Sequence, residues 1–316
     1  LELLQAVGGI HETDRATTAA TSPQLKSLLS RRLQRHLQEG VTTVEVKTGY
    51  GLNPQEEMRH LQVIREVVEL GDLTGIAAPM LPDVVPTCLA AHAVPEKSDA
   101  GSAVDRLQAE LFPLLTAMDW CRRIDIYIER DAFDPDSARR YLKAARQAGF
   151  DLVAHAGQFS TDGLMAALEC GVRSVDHLEV LDEKTIQAVA QSRSIALALP
   201  GASMGLGMPF APGRALLDRG AALAIATDWN PGSAPMGDLL LQAAVFGANQ
   251  RLTMAETLAA ITVRAAAALG LQDRGTIEAG KRADFVAFQV DDEREILYQQ
   301  GRLKPSFVWR EGTRMR

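Results

Sequence analysis

The strongest constraint on this chain is a recurring pattern. A short apolar or β-branched run is followed by a longer amphipathic segment, and the pair occurs seven times. The runs lie at 41–46, 86–92, 124–128, 151–154, 172–175, 194–199 and 221–226. Helical segments are expected at 54–70, 104–120, 135–148, 162–170, 182–191, 212–219, 236–249 and 253–269, with one more at 23–38 ahead of the first run. These spacings suit right-handed crossovers, so the runs predict a parallel sheet. At 316 residues the chain is long enough for one barrel-sized domain or two smaller ones.

Seven units are one short of a (β/α)8 barrel, and the chain opens in mid-pattern at Leu1. The expected architecture is therefore α/β, a TIM-like barrel whose first strand lies upstream of Leu1. A doubly wound open sheet is the alternative, although no Gly-x-Gly-x-x-Gly follows the first run. Beyond about residue 270 the pattern changes to turns and short strands, at 275–288 and 306–310. The expected division is a barrel over 1–270, then a β portion over 271–316 that is the C-terminal part of a small sandwich.

Lysine and arginine number 33 against 40 aspartates and glutamates, a net charge of −7 that argues against nucleic acid as a partner. The one basic run, Arg31 to His36, has helical spacing with Leu28, Leu29, Leu33 and Leu37 and reads as a solvated helix face. Cys88, Cys121 and Cys170 form no Cys-x-x-Cys pair, which fits a reducing, cytoplasmic setting rather than a disulfide framework. No apolar run approaches the ~18–20 residues of a membrane span, and no signal peptide is recognisable. Apolar helix faces leave room for a homodimer.

Five runs end in a residue able to do chemistry: His92, Glu129, His155, His177 and Asp228. In a barrel such positions converge on one face. Singly, each has an ordinary reading: a hydrogen-bonded core histidine, or a carboxylate capping the next helix. Asp228 follows the six small or apolar residues 221–226, where an unpartnered carboxylate is costly. His11, His36 and His60 fall in loop or helix-surface settings and are given no role. Imidazoles and a carboxylate at one mouth suit a zinc- or iron-type site. Such an ion brings the pKa of a bound water down to about 7, and an adjacent aspartate can take the proton.

The segments His155-Ala156-Gly157-Gln158, Asp176-His177-Leu178-Glu179, Thr227-Asp228-Trp229-Asn230-Pro231-Gly232 and Gly280-Lys281-Arg282-Ala283-Asp284 together resemble the amidohydrolase superfamily. Lys47-Thr48-Gly49-Tyr50-Gly51-Leu52 and Ala91-His92-Ala93-Val94-Pro95 resemble, more narrowly, the branch that opens the ring of imidazolonepropionate in histidine breakdown. The resemblance runs over essentially the whole chain. It implies one zinc or iron ion held in part by His155 and Asp228, with Asp228 and His177 as the proton-handling groups. It implies substrate contacts from Tyr50, His92 and Gln158, and a substrate loop made of Asn230, Gly232 and Ser233, whose backbone N–H groups would serve an acidic ligand. The product would be N-formimidoyl-L-glutamate. Two departures stand out. The family's His-x-His ligand pair is absent, which places it upstream of Leu1, and Gly157 stands where the family carries an acidic residue. Gln158 cannot act as a base, which leaves that role to Asp228 and His177. Another ring hydrolase or a deaminase of the same superfamily remains open, as does an inert ligand-binding barrel if Leu1 is the true start.

Overall fold

A computed structural model describes residues 9–73 and 81–315. Its centre is a seven-stranded parallel sheet in sequence order: β1 (Thr43–Lys47), β2 (Asp83–Ala91), β3 (Arg123–Ile128), β4 (Asp151–Ala156), β5 (Ser174–His177), β6 (Ile195–Ala198) and β7 (Leu223–Ile225). Every strand pairs in parallel with the next, as the crossover spacings predict. The sheet is curled. In a flat sheet β1 and β5 would stand roughly 19 Å apart at ~4.8 Å per strand, yet Nζ of Lys47 lies 3.2 Å from Oδ2 of Asp176. Among the described residues β1 and β7 do not pair, so the fold is a TIM-like half-barrel with helices outside.

The curl explains an alternation in two strands. Parallel strands covered on both faces usually read as continuous apolar runs. β3 instead reads Arg123-Ile124-Asp125-Ile126-Tyr127-Ile128. Ile124, Ile126 and Ile128 are fully buried in the main apolar cluster against the helices. The intervening polar side chains therefore point to the concave interior. β1 does the same, with Val44 and Val46 packed outward and Glu45 and Lys47 inward.

Helices fall near their expected places, short unexpected ones appear at Pro200–Leu206 and Glu295–Tyr298, and three further differences stand out. Residues Gly9–Ala19 form a helix although they carry no apolar stripe. Its C-terminal carbonyls are capped from outside, by the Arg59 guanidinium donating to Thr17 and Ala20 at 3.2 and 3.0 Å. The 104–120 segment breaks into Ala100–Arg106, a π turn Leu107–Leu111 and Phe112–Ala117, because Pro113 lacks the N–H that a regular turn needs. The 253–269 segment is interrupted at Thr262. His36 and His60, expected on helix surfaces, are both buried. His36 packs edge-on against Trp229, with ring centroids 4.9 Å apart.

The last strands, β8 (Phe285–Ala287), β9 (Phe307–Arg310) and β10 (Thr313–Arg314), form a small antiparallel sheet. Ion pairs fix this part to the amino-terminal end of β2. Arg274 and Arg282 both pair with Asp83, and Arg310 donates to the Leu81 carbonyl at 2.7 Å. Arg282 and Asp284 of the Gly-Lys-Arg-Ala-Asp segment thus do structural work, the guanidinium bonding Asp284 at 3.1 Å. No described helix is long and apolar enough to cross a membrane, and all three cysteines are free and buried.

Candidate active site at the carboxyl mouth of the sheet

The strand ends converge as a curled sheet requires. The rings of Tyr50 and His92 lie 5.2 Å apart, His92 and Tyr127 6.0 Å, Tyr127 and His155 6.3 Å, and His155 and His177 5.3 Å. His155, His177 and Gln158 are buried, while Tyr50, His92, Tyr127 and Asp228 are partly open to solvent. His177 takes φ +89° and Asp228 φ +47°, left-handed conformations that cost of order 1–3 kcal/mol each and gather at functional sites.

His155 is oriented from below. Its Nδ1 lies 3.0 and 3.1 Å from the two carboxylate oxygens of the fully buried Asp125. A carboxylate there can only accept, so Nδ1 carries the hydrogen and Nε2 faces the opposite way. Burial pulls the imidazole pKa down, but the charge and hydrogen bond of Asp125, with Asp176 behind it, outweigh this and push it up to about 9.

His92 reaches the same definition by another route. Burial, with the neighbouring His155, lowers it to about 4, so it is neutral at pH 7. Its Nδ1 lies 2.9 Å from the Gly49 carbonyl, an acceptor. The hydrogen therefore sits on Nδ1, and Nε2 is left as an acceptor. His177 has no hydrogen-bond partner for Nδ1 among the described residues, the Glu179 carboxylate being 3.5 Å away. The Asp228 carboxyl is recessed, and desolvation raises it against the lowering effect of His177 and His155.

Three loops carry these groups, each braced by one side chain that takes up several backbone N–H groups. Glu57, fully buried, accepts from Gly49, Gly51 and Leu52 at 3.0, 2.7 and 3.2 Å and so fixes the loop bearing Tyr50. Glu129 accepts from Gln158, Phe159 and Ser160 and from the Ser160 hydroxyl, so its place is loop support. Asn230 accepts from Gly232 and Ser233 at 2.9 and 2.8 Å and donates to the Asp228 carbonyl and carboxylate. This corrects the expectation for that loop. The N–H groups of Gly232 and Ser233 are committed to Asn230, so in this conformation they are not donors for an acidic ligand.

The expected metal pair also differs from the tightest cluster. Asp125, His155 and Asp176 offer donor atoms within 4.8 Å of one another, a spacing a metal ion could bridge, and Asp228 is not in that set. Asp125 and Tyr127 belong to none of the motifs in the sequence that point to chemistry. Tyr127 stands in the ring cluster and donates to Oε1 of Gln158 at 2.8 Å, leaving the Gln158 amide nitrogen as a donor. The signal for both was the strict alternation of β3, whose polar residues had to face a common interior.

The family model described as the amidohydrolase family matches residues 5–299. The imidazolonepropionase of Deinococcus deserti is 39% identical over 315 residues, covering 99% of this chain and 76% of the relative. That of Rubrobacter xylanophilus is 40% identical over 303 residues, covering 95% and 70%. Among solved structures, an atrazine chlorohydrolase variant from Arthrobacter aurescens complexed with zinc and atraton superposes with a TM-score of 0.75 at 16% identity, covering 99% of this chain and 77% of that one. The ochratoxinase of A. niger gives 0.70 at 17% identity, covering 95% and 77%. At such identities the structural likeness is one of fold.

Proposed function

The chain belongs to the amidohydrolase family, and we propose that it opens the ring amide of imidazolonepropionate by hydrolysis, giving N-formimidoyl-L-glutamate in histidine degradation. The observation that carries the reading is the tie between Asp125 and Nδ1 of His155, which presents Nε2 at a mouth shared with His177 and Asp228. A carboxylate behind a histidine is the arrangement that fixes metal-ligating imidazoles.

The donor set fits a metal ion of the zinc or iron type. His155 through Nε2 and Asp228 through its carboxylate would hold one ion, as two members of a ligand set that in catalytic sites numbers about three. Desolvation leaves the Asp228 carboxylate short of positive charge, which is the condition a cation relieves. Such an ion supplies an activated water and polarisation of a carbonyl. The chain's own residues do the rest. Asp228, held up in pKa by desolvation, accepts the proton of the attacking water. His177, whose buried Nδ1 lies 3.5 Å from the Glu179 carboxylate, would use Nε2 to donate to the carbonyl oxygen or to pass the proton to the departing ring nitrogen.

Recognition follows from the tautomers. His92 presents Nε2 as an acceptor for a ring N–H of the substrate, and Gln158, its oxygen held by Tyr127, presents an amide donor. Tyr50 closes the same side beside His92. The Asn230–Ser233 loop borders the site as a rigid turn. Residues 1–270 would act as the catalytic barrel and 271–316 as part of a small β unit, in a cytoplasmic enzyme acting on a small molecule.

The test is an imidazolonepropionate hydrolysis assay with metal analysis of the full chain beside His155→Ala and Asp228→Asn. Loss of bound metal and of turnover together in His155→Ala is expected. Unchanged rates in both variants would end the proposal.

A further inference from the structure

We propose that Lys47 is a positioning residue whose ammonium fills the cation place between Asp125 and Asp176 and so locks Asp125 onto Nδ1 of His155. The inference rests on the metal-dependent reading above only for which face of His155 meets the ion. The ammonium lies 2.6 Å from Oδ2 of Asp125, 3.2 Å from Oδ2 of Asp176 and 3.3 Å from Oε2 of Glu45. Arg123 completes the floor, its Nε 3.3 Å from Oε1 of Glu45.

Taken without Lys47, Asp125, His155 and Asp176 look like a three-ligand metal site. With Lys47 in place, the carboxylate oxygen nearest to each of its partners already meets a positive charge supplied by the chain. A divalent ion bridging Asp125 and Asp176 would sit within a few ångströms of the ammonium, a like-charge contact in a recessed setting where screening is weak. The cluster therefore acts as support, and the reaction ion belongs on the Nε2 side of His155.

The charges point the same way. Glu45, Asp125 and Asp176 carry three negative charges against two positive ones on Lys47 and Arg123. The surplus negative charge lies behind Nδ1 of His155, where it makes Nε2 a stronger donor. Without the ammonium, Asp125 and Asp176 repel each other, and Asp125 keeps only the Ile126 N–H, 2.7 Å from Oδ1, to oppose its swing away from His155.

Two variants of the full chain separate positioning from mere charge balance. Lys47→Met removes the ammonium. The double variant Lys47→Met with Asp176→Asn removes one charge of each sign and so keeps the sum of the cluster. In metal-free protein with nitrogen-15-labelled histidine, exchange of the His155 Nδ1 hydrogen with water should quicken by about tenfold or more in both, and Co2+ should bind roughly 10–100-fold more weakly in both, the range seen when a ligand's outer partner is lost. If Lys47→Met does not fold, the double variant carries the same readouts. Wild-type exchange and Co2+ affinity in the double variant would overturn the proposal. Fast exchange in both variants, with a wild-type chain that binds no Co2+, would uphold Lys47 as the lock on Asp125 and overturn the metal reading instead.

Discussion

Both carboxylate oxygens of Asp125 face one ring nitrogen of His155, at 3.0 and 3.1 Å, and so decide which nitrogen the site presents. Asp125 belongs to β3 and His155 to β4, and Tyr127 and His155 are register partners on those strands. Sheet register thus sets which ring nitrogen of His155 is tied down and which one faces the mouth.

Replacing Asp125 by Asn keeps the shape but removes the charge and lets the amide donate as well as accept, so Nδ1 is no longer held as the hydrogen-bearing nitrogen. Metal affinity should fall about 10–100-fold, with kcat/KM falling alongside at limiting metal. Metal titration against a chelator reads the first and steady-state kinetics the second. Wild-type affinity in Asp125→Asn would show that His155 needs no such partner.

Asp228→Asn separates activity from stability. Removing the proton acceptor should lower kcat about 10²–10⁴-fold. Because desolvation raises the Asp228 carboxyl, its ionised form costs the metal-free fold free energy, and the neutral amide should leave Tm unchanged or higher. Calorimetry of metal-free protein checks this. A clearly lower Tm would mean that the carboxylate is held for structure.

Gly49 stands at φ +120°, and a Cβ there would lie 2.9 Å from the Leu89 carbonyl and 3.1 Å from Nδ1 of His92. Gly49→Ala should cost about 1–2 kcal/mol of stability through the backbone alone. It should also raise KM more than it lowers kcat, since the displaced group is a recognition histidine. Denaturant unfolding and the KM-against-kcat split provide the readings.

Stability should fall in mild acid through His36. Burial, then the neighbouring Arg35, lowers it to about 4, below an unfolded value of about 6.5. As pH drops below about 6.5 the unfolded chain takes up the proton first, so the contribution is full above that pH and is lost progressively down to about 4. The loss should be about 3 kcal/mol for a shift of this size. Urea unfolding at pH 7 and 4.5 should show a smaller difference in His36→Leu than in wild type.

Much of this protein is readable from local pattern. The seven strands lie within a few residues of their apolar runs, because a strand buried between helices must be apolar on its outer face wherever it sits. His92, His155, His177 and Asp228 were visible as chemistry at strand ends, a placement that parallel order converts into convergence. The helix at Gly9–Ala19 was not visible, because its cap comes from Arg59, forty residues on, and not from its own sequence.

What the chain by itself determined is therefore the strand order, the outward apolar faces and the identity of the groups at the mouth. Tertiary structure alone decided what lies behind them. Lys47, Asp125 and Asp176 come from β1, β3 and β5, and their meeting depends on how tightly the sheet curls, which no local period encodes. The same holds for Trp229, whose ring is set between His36 and the Arg35 guanidinium, 4.6 Å from its centre, and for the loop that follows Asp228. Hydrophobic period acts within one element. The orientation of His155 and the surroundings of Asp228 are properties of several elements at once, and only the packed sheet brings those within hydrogen-bond and Coulomb range.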